Sequence, residues 1–87
     1  MTTTKIELTE ASEKLLADIA GDTGNWNGCP MVYGNVCRTK ADLGNLTDLK
    51  KKGILETFKD EGIEWICFTD EGYEQLDIRG IEYQKQL

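Results

Sequence analysis

Two β-prone runs, Ile54-Leu55-Glu56-Thr57-Phe58-Lys59 and Ile63-Glu64-Trp65-Ile66-Cys67-Phe68, flank the short turn Asp60-Glu61-Gly62. No other feature constrains the fold as much. Branched and aromatic side chains suit an extended backbone, and a turn ending in glycine lets the chain reverse. The segment predicts an antiparallel hairpin with strands at about 54–58 and 63–68. The second run carries apolar residues on both faces except at Glu64, so it is expected to lie between the core and something else.

The helices are read from spacing and caps. Thr9 stands before Glu10 and Glu13, an N-cap followed by carboxylates where the helix dipole favours them. Ala11, Leu15 and Ile19, with Leu16 and Ala20 beside them, form one apolar stripe and predict a helix over about 10–20, with Gly21 ending it. Thr39-Lys40-Ala41-Asp42 is a variant of the capping box. After it, Leu43, Leu46 and Leu49 share one arc, which predicts a helix over 39–52 closed by Gly53. Lys40, Gly44, Thr47, Asp48 and Lys51 lie on the opposite arc, with Asn45 and Lys52 toward its edge. A solvent-facing glycine in a helix costs about 1 kcal/mol against alanine. Gly44 therefore marks either a close approach by another molecule or a break restarting at Asn45; one continuous helix is favoured. Thr69-Asp70-Glu71 caps a last helix at about 70–77, with Tyr73, Leu76 and Ile78 inward. Beyond it, Ile81, Tyr83 and Leu87 alternate along an extended tail, residues 79–87, suited to a short strand or to packing across a dimer.

Between the first two helices, Asp22–Asn35 mixes glycine and asparagine with Trp26, Pro30, Met31, Val32 and Tyr33. That mixture predicts an ordered loop with a short strand or single helical turn at Met31–Tyr33. Trp26 and Tyr33 either cap the core or present aromatic groups to a partner.

At 87 residues the chain fits one α+β domain, residues 1–87, since compact domains run roughly 50–250 residues. No apolar run approaches the roughly 18 residues of a membrane span, so no membrane association is expected. Cys29, Cys37 and Cys67 are three cysteines with no CxxC pair, and there is no histidine. No metal or cofactor is expected from that set. The three are read as reduced thiols of a cytoplasmic protein, Cys67 as a core side chain. One disulfide with a thiol left over is possible if the protein is exported.

The net charge of −6 is unevenly spread: residues 1–37 sum to −3, 38–52 to +3 and 53–87 to −6. One basic segment sits in an acidic chain.

Helix, loop, lysine-ended helix, hairpin and short helix is the order of a winged helix-turn-helix domain. Leu46-Thr47-Asp48-Leu49-Lys50-Lys51-Lys52-Gly53-Ile54-Leu55, the hairpin to Trp65-Ile66-Cys67-Phe68, and Thr69-Asp70-Glu71-Gly72 resemble the recognition helix, wing and following helix start of MarR-type bacterial regulators. The likeness covers roughly residues 39–76. The whole chain is also similar to small winged-helix proteins encoded by bacteriophages and prophages. The resemblance implies transcription regulation or other DNA binding through helix 39–52. In that fold Lys40, Gly44, Asn45, Thr47, Asp48 and Lys51 face a major groove, and Arg38 and Lys52 reach phosphates. Four or five such contacts give a salt slope of about −4. A homodimer would match paired half-sites.

The alternative is an acidic protein-interaction module, binding a basic host protein or mimicking DNA, without direct DNA binding. Trp26, Tyr33, Asp60, Glu61 and Glu64 would carry it, since carboxylates at a wing tip repel phosphate. An enzyme is not expected: imidazole, a glycine-rich phosphate loop and metal-ligand spacing are all missing from the sequence.

Overall fold

The computed structural model describes residues 4–25, 28–32 and 39–85. Helix α1 spans Glu10–Asp22 and leads into a 3-10 turn at Thr23–Asn25; α2 spans Lys40–Lys51. Strands β1 (Leu55–Asp60) and β2 (Ile63–Phe68) follow, then α3 (Asp70–Arg79). The architecture is α+β.

Helix α1 starts at its expected cap, with Thr9 Oγ1 accepting from the Ser12 amide at 3.2 Å. Its end differs from expectation. The helix runs through Gly21 to Asp22, and the Thr23 hydroxyl closes it by donating to the Ala20 carbonyl at 2.6 Å. The buried stripe is Ser12, Leu15, Leu16, Ile19 and Ala20, whereas Ala11 is exposed. Ser12 lies three residues before Leu15, four before Leu16 and seven before Ile19, at the centre of the buried stripe, while Ala11 sits at its margin; a hydroxyl thus occupies the position expected to be apolar.

Helix α2 is continuous through Gly44. Its capping box is complete: Thr39 Oγ1 accepts from the Asp42 amide at 3.1 Å, and Asp42 accepts from the Thr39 amide at 3.2 Å. Leu46 and Leu49 are buried, and Leu43 packs half-buried at the core margin.

The hairpin pairs Leu55 with Phe68 through to Asp60 with Ile63. The turn is therefore the two residues Glu61 and Gly62, at φ 53° and 79°. Positive φ at both positions is the type I′ geometry, whose twist matches that of the strands. The tight turn lets β1 run to Asp60, past the expected end at 58. Leu55, Ile66 and Phe68 face a core shared with Leu15, Leu16, Ile19, Leu49, Ile54 and Leu76.

A third, very short strand lies on the other edge of β2. Met31 bridges Trp65, Val32 N donates to Glu64 O at 2.9 Å, and Ile66 N donates to Pro30 O at 2.7 Å. Two residues further in the same register, Cys29 faces Cys67, and the two form a disulfide with Cα atoms 4.9 Å apart. The expectation of three free thiols is corrected at these two positions. Directly opposed residues of an antiparallel pair sit this close when no hydrogen bond joins them, so register, not sequence spacing, makes the pair. Cys37 lies outside the described residues.

Helix α3 begins where a strand end and a helix start share one anchor. The Thr69 hydroxyl donates toward Gly53 O at 2.5 Å and accepts from the Gly72 amide at 2.9 Å. A Cβ on Gly72 would collide with the Ile54 carbonyl oxygen and lie 3.2 Å from Phe68 Cδ1. The threonine-x-x-glycine start is thus a packing requirement. The helix extends beyond the expected 77 to Arg79, where Gly80 at φ 68° caps it. Ile78 is 41% exposed rather than inward, while Tyr73 is half-buried and Leu76 fully buried. Residues 81–85 form no strand. They fold back instead, with Ile81 and Tyr83 against the core and Gln84 N donating to Thr23 Oγ1 at 2.8 Å.

A polar network fastens the N-terminal arm. Buried Gln75 donates to Thr4 O and accepts from the Ile6 amide, both at 2.9 Å. Arg79 donates to Ile6 O at 2.6 Å and forks onto the Glu13 carboxylate at 2.8 and 3.0 Å. That guanidinium holds the Glu13 carboxyl below the usual glutamate range. No helix of the described residues is long and apolar enough to cross a membrane.

Candidate nucleic-acid interface

Helix α2 turns its leucine arc into the core, and this fixes what the opposite arc shows. Lys40, Ala41, Gly44, Thr47, Lys50 and Lys51 are exposed. Nothing lies within 4 Å of the position a Gly44 Cβ would occupy, so backbone is open to solvent at mid-helix. The Thr47 hydroxyl is turned back onto the Leu43 carbonyl at 3.0 Å.

Both carboxylates of the helix are held away from this arc. Asp42 is engaged in the capping box. Asp48 accepts from the buried Ser12 hydroxyl of α1 and from Lys52 Nζ, each at 3.1 Å. Those two hydrogen bonds lower its pKa, the Lys52 bond first. The sequence wheel placed Asp48 on the outward arc; Ser12, at the position where α1 packs on α2, draws it to the flank.

The same contact fixes Asn45, which is half-buried with Oδ1 3.4 Å from the Ser12 hydroxyl. A hydroxyl has one proton, and the closer Asp48 has the better claim on it. Asn45 therefore lies on the α1 side of the helix, not at the centre of the open face. Lys52 is half-buried and tied to Asp48. Lys40, Gly44, Thr47 and Lys51 share the open arc as expected from spacing. Arg38 lies outside the described residues, as do Trp26 and Tyr33.

Lys50 was not singled out from the sequence as a contact residue. Its Nζ donates to Thr57 Oγ1 of β1 at 2.9 Å, which sets a cation between helix and hairpin. The Lys50-Lys51-Lys52 run contains it, but only the place of β1 shows which way it points.

The hairpin tip is acidic. Asp60 and Glu61 are exposed, and Glu64 is half-buried across from Lys59. Among the described residues no three His, Cys, Asp or Glu side chains are grouped as metal ligands would be. No protein-family model, curated protein or solved structure matches this chain.

Proposed function

We propose that the chain is a winged-helix domain that binds duplex nucleic acid, with α2 in the groove, and that it regulates a nucleic-acid transaction. The observation that carries this reading is the charge sorting on α2. Lys40 and Lys51 stand on an open arc from which both helix carboxylates are held away, and Lys50 adds a third exposed cation between the helix and β1. A helix of 12 residues is about 18 Å long, and B-DNA's major groove is wide enough to admit it. Gly44 at the middle of the arc lets backbone approach the base edges without a side chain between.

The order of elements supports the same reading. A short strand at Met31–Val32 precedes α2 and pairs with β2, and the hairpin follows α2 directly. A short strand that precedes the groove-facing helix and pairs with the wing is a feature that winged-helix domains share.

Fluorescence anisotropy with a labelled mixed-sequence duplex, titrated across salt, tests the proposal. Three lysine contacts give a log–log salt slope of roughly −3. Lys40→Glu with Lys51→Glu should abolish binding at about 50 mM salt, where such contacts are strongest. No binding by the wild-type chain at that salt, or a slope near zero, defeats the reading.

A further inference from the structure

The outer face of the hairpin carries a different signature. Cross-strand register puts Glu56 beside Cys67, Phe58 beside Trp65 and Asp60 beside Ile63 on one face. The Met31–Trp65 bridge adds a third column, so Phe58, Trp65 and Met31 form one apolar row across the sheet. The inner face, with Leu55 and Ile66, is already used by the core. On the outer face Phe58 is 42% and Ile63 39% exposed, the two large apolar side chains of the hairpin left in water. Carboxylates border them: exposed Glu56 and Asp60 on β1, and exposed Glu61 at the turn. A groove of about 520 Å³ adjoins the patch, lined by Met31, Val32, Lys59, Gly62, Ile63 and Glu64.

We infer that this face docks a basic, apolar-anchored segment of another protein. An aliphatic or aromatic side chain of the partner covers the exposed Phe58 and Ile63, and its lysines or arginines meet Glu56, Asp60 and Glu61. Charge complementarity selects the occupant. Nucleic acid would bring phosphates to three carboxylates, and a second copy would bring the same acidic rim to this one. A basic polypeptide removes both penalties, and apolar patches rimmed by polar groups are where proteins associate. The inference does not depend on the role of α2, because the two faces share no exposed residue.

The test uses synthetic peptides and the full-length chain, followed by backbone amide NMR and by anisotropy of the labelled peptide. The probes are a short peptide alternating lysine with leucine, its glutamate–leucine counterpart and its lysine–serine counterpart. The lysine–leucine peptide should bind at least tenfold more tightly than either control, with shifts centred on Met31 and residues 56–65. Phe58→Ser with Ile63→Thr changes partly exposed side chains outside the core cluster, so the variant should stay folded and lose that binding. Glu56→Lys with Asp60→Lys should invert the preference toward the glutamate–leucine peptide. Lys40→Glu with Lys51→Glu should leave peptide binding unchanged, which separates this site from α2. Equal binding of all three peptides overturns the inference, as does binding that survives the Phe58 and Ile63 changes. So does sedimentation showing a dimer that those changes dissolve, since a second copy would then be the occupant.

Discussion

The open face of α2 and the outer face of the hairpin are neighbours in sequence and opposites in chemistry. On α2 the apolar residues point inward, the carboxylates are tied to a cap and to Ser12, and lysines remain outside. On the hairpin the carboxylates remain outside, and two large apolar side chains stay with them. A net charge of −6 describes neither face. Each surface gets its sign from where packing and local hydrogen bonds direct its charged groups.

The largest way to break the comparison is to remove what both faces stand on. Gly72→Ala drives a methyl into the Ile54 carbonyl, at the junction joining α2's end, the sheet and α3. It should cost about 3 kcal/mol or more, measured by urea denaturation, and both faces should lose binding together. A loss below about 1 kcal/mol would mean that the α3 start can shift away.

Arg79→Met probes stability away from both faces. It takes the partner from the Glu13 carboxylate and the Ile6 carbonyl and leaves Gln75 Oε1 only the Ile6 amide, and should cost about 2–3 kcal/mol in thermal or urea unfolding at neutral pH. The Glu13 carboxyl titrates lower in the folded chain than unfolded, where it is near 4.3. Its contribution is thus complete above that value and lost as pH falls through the lower folded value. The wild-type advantage over Arg79→Met should shrink on acidification below about pH 4.3. Binding at either face should be untouched while the variant remains folded.

Asp60→Lys with Glu61→Lys sharpens the comparison. If the hairpin sits beside a duplex held by α2, a basic tip should raise duplex affinity about tenfold and steepen the salt slope by about 1–2. An unchanged affinity would place the tip away from the backbone.

The smallest expected effect is a gain. Glu61 has the positive φ of a type I′ turn, where asparagine fits better. Glu61→Asn should stabilise the chain by about 0.5 kcal/mol in the same unfolding measurement.

Much of this was legible in the sequence because the signals were local. The Thr9, Thr39 and Thr69 caps, the inward Leu46 and Leu49, and the hairpin depend on neighbours a few residues away. What was not legible depended on register or on a second element. Cys29 meets Cys67 only through the pairing of a short strand in a glycine-rich segment. Asp48 and Asn45 leave the open arc only because Ser12 of α1 packs there. Phe58 reads as an ordinary strand residue until the register sets it beside Trp65. The two apolar faces of β2 did signal that something lies beyond the core, without showing that this chain leaves part of that surface in water.

Amide NMR of the labelled chain titrated with a short duplex at low salt tests the central claim most directly. Shifts should run along Lys40–Lys51, largest near Gly44 and Thr47, with Met31, Phe58 and Trp65 unmoved. Shifts concentrated on the hairpin's outer face, or none along α2, would contradict it.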